Sequence, residues 1–152
     1  MDSLTIEMDR KIENVRNQHK DLNKAFHHHF YIEALYMEYM LMEEYTEMFL
    51  QYADLWPAYL KKRRGHETVL ASKIRYIQAA ALDGNKVLNK YFSDDLLDKV
   101  SAWTAKRYKL IQSSLKSPVA AEYLEQVAAE GRELSLQMRT RFTVVKKCLT
   151  VG

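Results

Sequence analysis

Residues 103 to 115, WTAKRYKLIQSSL, set an arginine inside what reads as the buried stripe of a helix. At about 100° per residue, Leu96, Val100, Trp103, Leu110, Ile111 and Ser114 share one arc, with Arg107 at its centre. A guanidinium there can hold a carboxylate in a buried ion pair, or present a planar, permanently charged fork to a phosphate. A lone buried charge is costly, so a partner is expected in the fold or in a subunit interface. The same wheel laid over residues 30 to 54 puts one acid, Glu38, inside the apolar arc. The expectation is a buried Glu38–Arg107 pair, whose disruption would cost about 3–5 kcal/mol.

Five residues beyond Arg107 stands Gln112, where a histidine would have supplied acid–base chemistry. A glutamine amide orients a phosphate or a water but exchanges no proton near neutral pH. Lys106, Lys109 and Lys116 point away from the stripe, and KKRR at 61 to 64 adds Arg63 and Arg64. Together they form a candidate nucleic-acid surface, on which Tyr108 could stack against a base. His66 and the run His27 to His29 are candidate replacement proton carriers. Three consecutive histidines on a helix point in three directions, which argues for a solvated or capping role over a shared metal. The Glu-x-x-His pairs of di-iron bundles do not occur, nor do a glycine-rich phosphate loop, a nucleophile elbow or zinc spacing. No cofactor or metal is expected. Met37, Met40, Met42 and Met48, set among tyrosines, read as core in preference to an adaptable groove.

The elements that must position these residues are helices. Leu4, Met8, Ile12, Val15, Leu22 and Phe26 recur at helical spacing and predict a first helix from about Ser3 into the low twenties, capped by Asp2 or Ser3. The histidine run marks a break, and a second helix follows from about Phe30 to Asp54. Its wide apolar arc suggests neighbours on two sides. Trp56-Pro57 is expected to end it, leaving LKKRRGH (60 to 66) as an exposed basic loop. Further helices are expected at about 68 to 81, ending near Tyr91, after a cap at Ser93 or Asp94, and from near Pro118 to about Lys147. No strand pattern or internal repeat is evident.

The chain has 152 residues, 47% of them apolar, with four glycines and two prolines. That suits a single helical domain over 1 to 152 with a sizeable core. The net charge of +3 is unevenly spread. Ala25 to Leu60 holds six acids and no lysine or arginine, whereas Lys99 to Ser117 holds five lysines and arginines and no acid. Strongly polarised faces are therefore expected. One cysteine, Cys148, allows no internal disulfide and fits a reducing compartment. With no basic-then-apolar leader and no long uncharged apolar run, the expectation is a soluble cytoplasmic protein without a membrane span.

FYIEALYMEYMLMEEY (30 to 45), LASKIRYI (70 to 77) and W-x3-R-Y-x2-I-Q (103 to 112) together resemble the HEPN family of helical bundles, over roughly residues 26 to 147. Its members include many prokaryotic toxin and defence ribonucleases. The resemblance implies an all-α bundle of about five helices, forming a homodimer in which two copies of an R-x(4–6)-H motif meet in one cleft. In active members RNA is cut without metal by its own ribose hydroxyl. Arg107 matches the family's arginine, Tyr108 stands where a polar residue, commonly asparagine, is usual, and Gln112 occupies the histidine position. The implied function is a degenerate, non-catalytic protein that binds RNA or a cognate protein partner in a prophage, toxin–antitoxin or defence setting. Two alternatives are a metal-independent endoribonuclease with an altered site, and a purely structural helical dimer.

Overall fold

The computed structural model describes residues 3–63, 65 and 69–151. Seven helices occupy the described residues: α1 (Ser3–His27), α2 (Tyr31–Tyr52), α3 (Trp56–Lys62), α4 (Leu70–Leu82), α5 (Lys86–Phe92), α6 (Leu96–Ser114) and α7 (Ala121–Val151). No strand occurs among them. The fold is all-α, as the periodicities predict; there are seven helices where the resemblance implies about five, and α3 is the one the periodicities do not lay out.

One of the corrections is α3. Trp56-Pro57 starts a helix instead of ending in a loop, because Pro57 sits in the first turn, where its missing N–H would have had no helical acceptor. Lys61 and Lys62, expected in an exposed loop, are the last turn of this helix.

α2 is central. It packs most extensively against α7, and also against α1, α4, α3 and α6. Its buried residues include Ala34, Leu35, Leu41, Met42, Tyr45, Met48, Phe49 and Leu50, which explains the width of its apolar arc. Phe142 from α7 meets Tyr45, Phe49 and Tyr52 in tilted and edge-on ring contacts with centroids 5.6–6.0 Å apart. Arg141, next along α7, bonds the Tyr91 carbonyl and pairs with Asp94 at 2.5 Å, fastening α7 to the end of α5 and to the segment that leads into α6. α6 is held on α7 by Trp103, fully buried, whose indole Nε1 donates to the Val127 carbonyl at 2.9 Å.

The histidine run finds its reason in the turn between α1 and α2. His29 has φ of 61°, and the pair of bonds Phe30 N–H to Ala25 O and His29 N–H to Phe26 O closes the helix end around it. Asp54, at φ 63°, ends α2 with the same bond pattern. His28 stacks on Phe30, and His29 Nδ1 lies 2.7 Å from the Tyr31 hydroxyl, so neighbouring histidines go to different partners.

The segregated charges meet in space. Lys11 of α1 pairs with Glu47 at 2.9 Å, and the buried Lys73 of α4 donates to the Glu43 carbonyl at 3.1 Å. Two helices that the sequence separates from the acidic block thus bring cations to it, and the polarised faces expected from the charge blocks are tempered.

Candidate functional site

The site around Arg107 is built by α6 and α2. Leu96, Leu97, Val100, Trp103 and Leu110 bury one side of α6, and Arg107, one turn after Trp103, is half-buried facing α2. Its Nε donates to the Leu35 carbonyl at 3.1 Å. The guanidinium lies over the rings of Tyr39 and Tyr36, at 4.5 and 5.1 Å from their centroids. Burial draws its pKa down from the usual guanidinium value, while Tyr39, Tyr36 and Glu38 act in the opposite sense. Its Nη groups make no hydrogen bond among the described residues, so the outer edge of the fork is uncommitted.

Glu38 is fully buried, but neither of its carboxylate oxygens has a hydrogen-bond partner. Burial pushes its pKa up to about 9, outweighing the opposing pull of Arg107 and Arg132. The expected Glu38–Arg107 ion pair is therefore replaced by a different arrangement: a neutral acid at pH 7, and an arginine that takes a carbonyl and two aromatic faces instead. The carboxyl lies against α7. Gly131 leaves room for the Glu38 carboxyl and the Trp103 ring against the helix backbone, and a Cβ there would stand 2.3 Å from Glu38 Oε1 and 2.5 Å from Trp103 Cζ2.

Gln112 is exposed, as are Lys109 and Lys116. Along α6, Gln112 is turned roughly 140° from Arg107, so within one chain the two do not share a face. Tyr108 is 63% exposed and Tyr36 50% exposed, leaving aromatic surface beside the guanidinium. Lys106, a nucleic-acid candidate, is engaged by Glu130 of α7 at 2.8 Å. Arg63 lines a second basic feature, an open cavity of about 560 Å³ between α3 and α4 shared with Lys62, Arg75, Tyr59, Ser72 and Tyr76. At its wall the Tyr59 hydroxyl lies 3.0 Å from Ser72 Oγ. Arg64 and His66 lie outside the described residues.

Sequence reasoning missed His19. It is buried on α1, four residues after Val15 and three before Leu22, within that helix's apolar stripe. That spacing was its signal, and its Nε2 lies 2.7 Å from the Tyr45 hydroxyl. Among the described residues no three His, Cys, Asp or Glu side chains are placed to hold a metal, and no helix is long and apolar enough to cross a membrane. No protein-family model, curated protein or solved structure matches the chain.

Proposed function

We propose that this chain is a HEPN-like bundle that binds single-stranded RNA as a homodimer without cutting it, in a prophage, toxin–antitoxin or defence setting. The observation that carries the reading is Arg107: half-buried, fixed by the Leu35 carbonyl and two tyrosine faces, with its Nη edge uncommitted. A guanidinium held this way meets a phosphate with little further ordering. Exposed Tyr36 and Tyr108 offer stacking faces for bases, and Lys109 of α6 and Lys116 in the turn just beyond it supply positive charge. The basic cavity lined by Arg63, Lys62 and Arg75 extends the same chemistry to α3 and α4. Gln112 has no proton to exchange at neutral pH, which supports binding over cleavage.

The test is to mix a mixed-sequence single-stranded RNA with the protein in chelator, following anisotropy across a salt series and strand integrity in the same samples. Salt-dependent binding to intact RNA is expected, weakened in Arg107→Ala. Cleavage by the natural protein that disappears in Arg107→Ala would replace this reading with the endoribonuclease one.

A further inference from the structure

Tyr45 lies nine residues beyond Tyr36, about half a turn around α2, and so faces away from Arg107. There α1, α2 and α7 line a cavity of about 280 Å³, just below the range of about 300–1,000 Å³ typical of small-molecule sites. Its floor is polar and built. Tyr45 is fully buried and His19 is 6% exposed, and His19 Nε2 stands 2.7 Å from the Tyr45 hydroxyl. Burial lowers the His19 pKa to about 4, helped by the nearby Arg139, and raises that of Tyr45, so both are neutral at pH 7. In the tautomer with the proton on Nε2, His19 donates to the phenol oxygen and the Tyr45 O–H is left to donate onward.

The walls are apolar, formed by Ile12 and Val15 from α1 and Phe142 from α7. The rim is cationic, carrying Arg16, Arg139 and Lys146. Arg16 is partly neutralised by Glu13 at 2.8 Å, whereas no acid is among the described residues lining the cavity. A positive rim above apolar walls selects for an anionic head on an apolar body. A bare phosphate would gain the rim but leave those walls unfilled, and a dianion is the costlier charge to desolvate beside them.

We propose that this cavity binds a small organic monocarboxylate, its carboxylate held by Arg139 and its apolar body between Ile12, Val15 and Phe142. The site is independent of the RNA reading, since it shares no residue with the Arg107 face. It is tested on the full chain with benzoate as probe, by calorimetry and by amide and side-chain NMR, beside benzamide as the neutral isostere and inorganic phosphate as the bare anion. Benzoate is expected to shift the His19, Tyr45 and Phe142 resonances and to bind at least about tenfold more tightly than benzamide or phosphate. Arg139→Glu, at an exposed position, should weaken benzoate by about tenfold or more. Thr143→Trp, also exposed at the mouth, should exclude it with the fold intact. Benzamide binding as tightly as benzoate, phosphate displacing benzoate at equal concentration, or unshifted His19, Tyr45 and Phe142 signals would each overturn the proposal.

Discussion

Glu38 and Gly131 meet where α2 crosses α7, so closely that a single methyl group on Gly131 would lie 2.3 Å from Glu38 Oε1. The glycine is what lets an acid and an indole share one crossing. Gly131→Ala gains up to about 1 kcal/mol in helix propensity. The clash dominates, because the Trp103 ring is tied to the Val127 carbonyl and cannot retreat without losing that bond. A net loss of about 1–3 kcal/mol is expected in chemical denaturation. Unchanged or increased stability would mean that the crossing opens freely.

The neutral state of Glu38 gives a pH signature. Its folded pKa of about 9 exceeds the ordinary 4.5, so the folded chain holds more protons than the unfolded chain between those values, and stability falls as pH rises through that window. Glu38→Gln removes this slope, and the variant should be the more stable protein at pH 8, with the difference closing towards pH 5. His19 runs the other way: its folded pKa of about 4 lies below the ordinary 6.5, so its contribution grows as pH rises between them and is complete above. The two slopes oppose between about 4.5 and 6.5, and His19→Gln should unmask the Glu38 slope there. Thermal melts of the three proteins across this range measure both effects. A Glu38→Gln melting curve parallel to the natural one at every pH would mean that Glu38 is ionised in the fold.

The lysines of α6 and of the turn that follows it should separate in RNA binding. Lys109 and Lys116 are exposed, whereas Lys106 is held by Glu130. Lys109→Gln or Lys116→Gln should each reduce the slope of log affinity against log salt by about 0.7, the value for one single-strand phosphate contact. Lys106→Gln should leave the slope nearly unchanged. Equal losses at all three positions would indicate that RNA draws Lys106 away from Glu130.

At the turn between α1 and α2, His29 carries a left-handed backbone that favours glycine. Its ring is exposed, and its contact with Tyr31 is at the surface. His29→Gly should therefore raise stability by about 1 kcal/mol, read as a higher melting temperature. Destabilisation would show that the His29–Tyr31 contact outweighs the backbone strain.

Much of this architecture can be read from the sequence, and the limits are physical. The stripes of α1, α2, α6 and α7 are periodic because each helix buries one side, and the same periodicity marks Glu38 as an acid facing the core. A wheel states which residues face inward but not which atoms meet. It could not show that Arg107 would take the Leu35 carbonyl and two tyrosines while Glu38 stayed unpaired beside Gly131. The α3 helix was hidden because proline permits both a stop and a first turn, and the surrounding contacts decide. The burial of Lys73 follows from the docking of α4 against the acid-bearing α2, a contact between elements that no single helix's pattern contains.

The dependence of α2 on α7 has a consequence for how the chain reaches its native state. The two helices lie far apart in the sequence, yet their contact is the most extensive in the fold. During synthesis the apolar flank of α2 that meets Phe142 and its neighbours must wait, uncovered, until roughly ninety further residues have been made. Closure is thus delayed and long-range, which slows folding and exposes the nascent chain to self-association. Loss of α7 by truncation would remove the partner that completes the core, leaving α1 to α6 around an open seam.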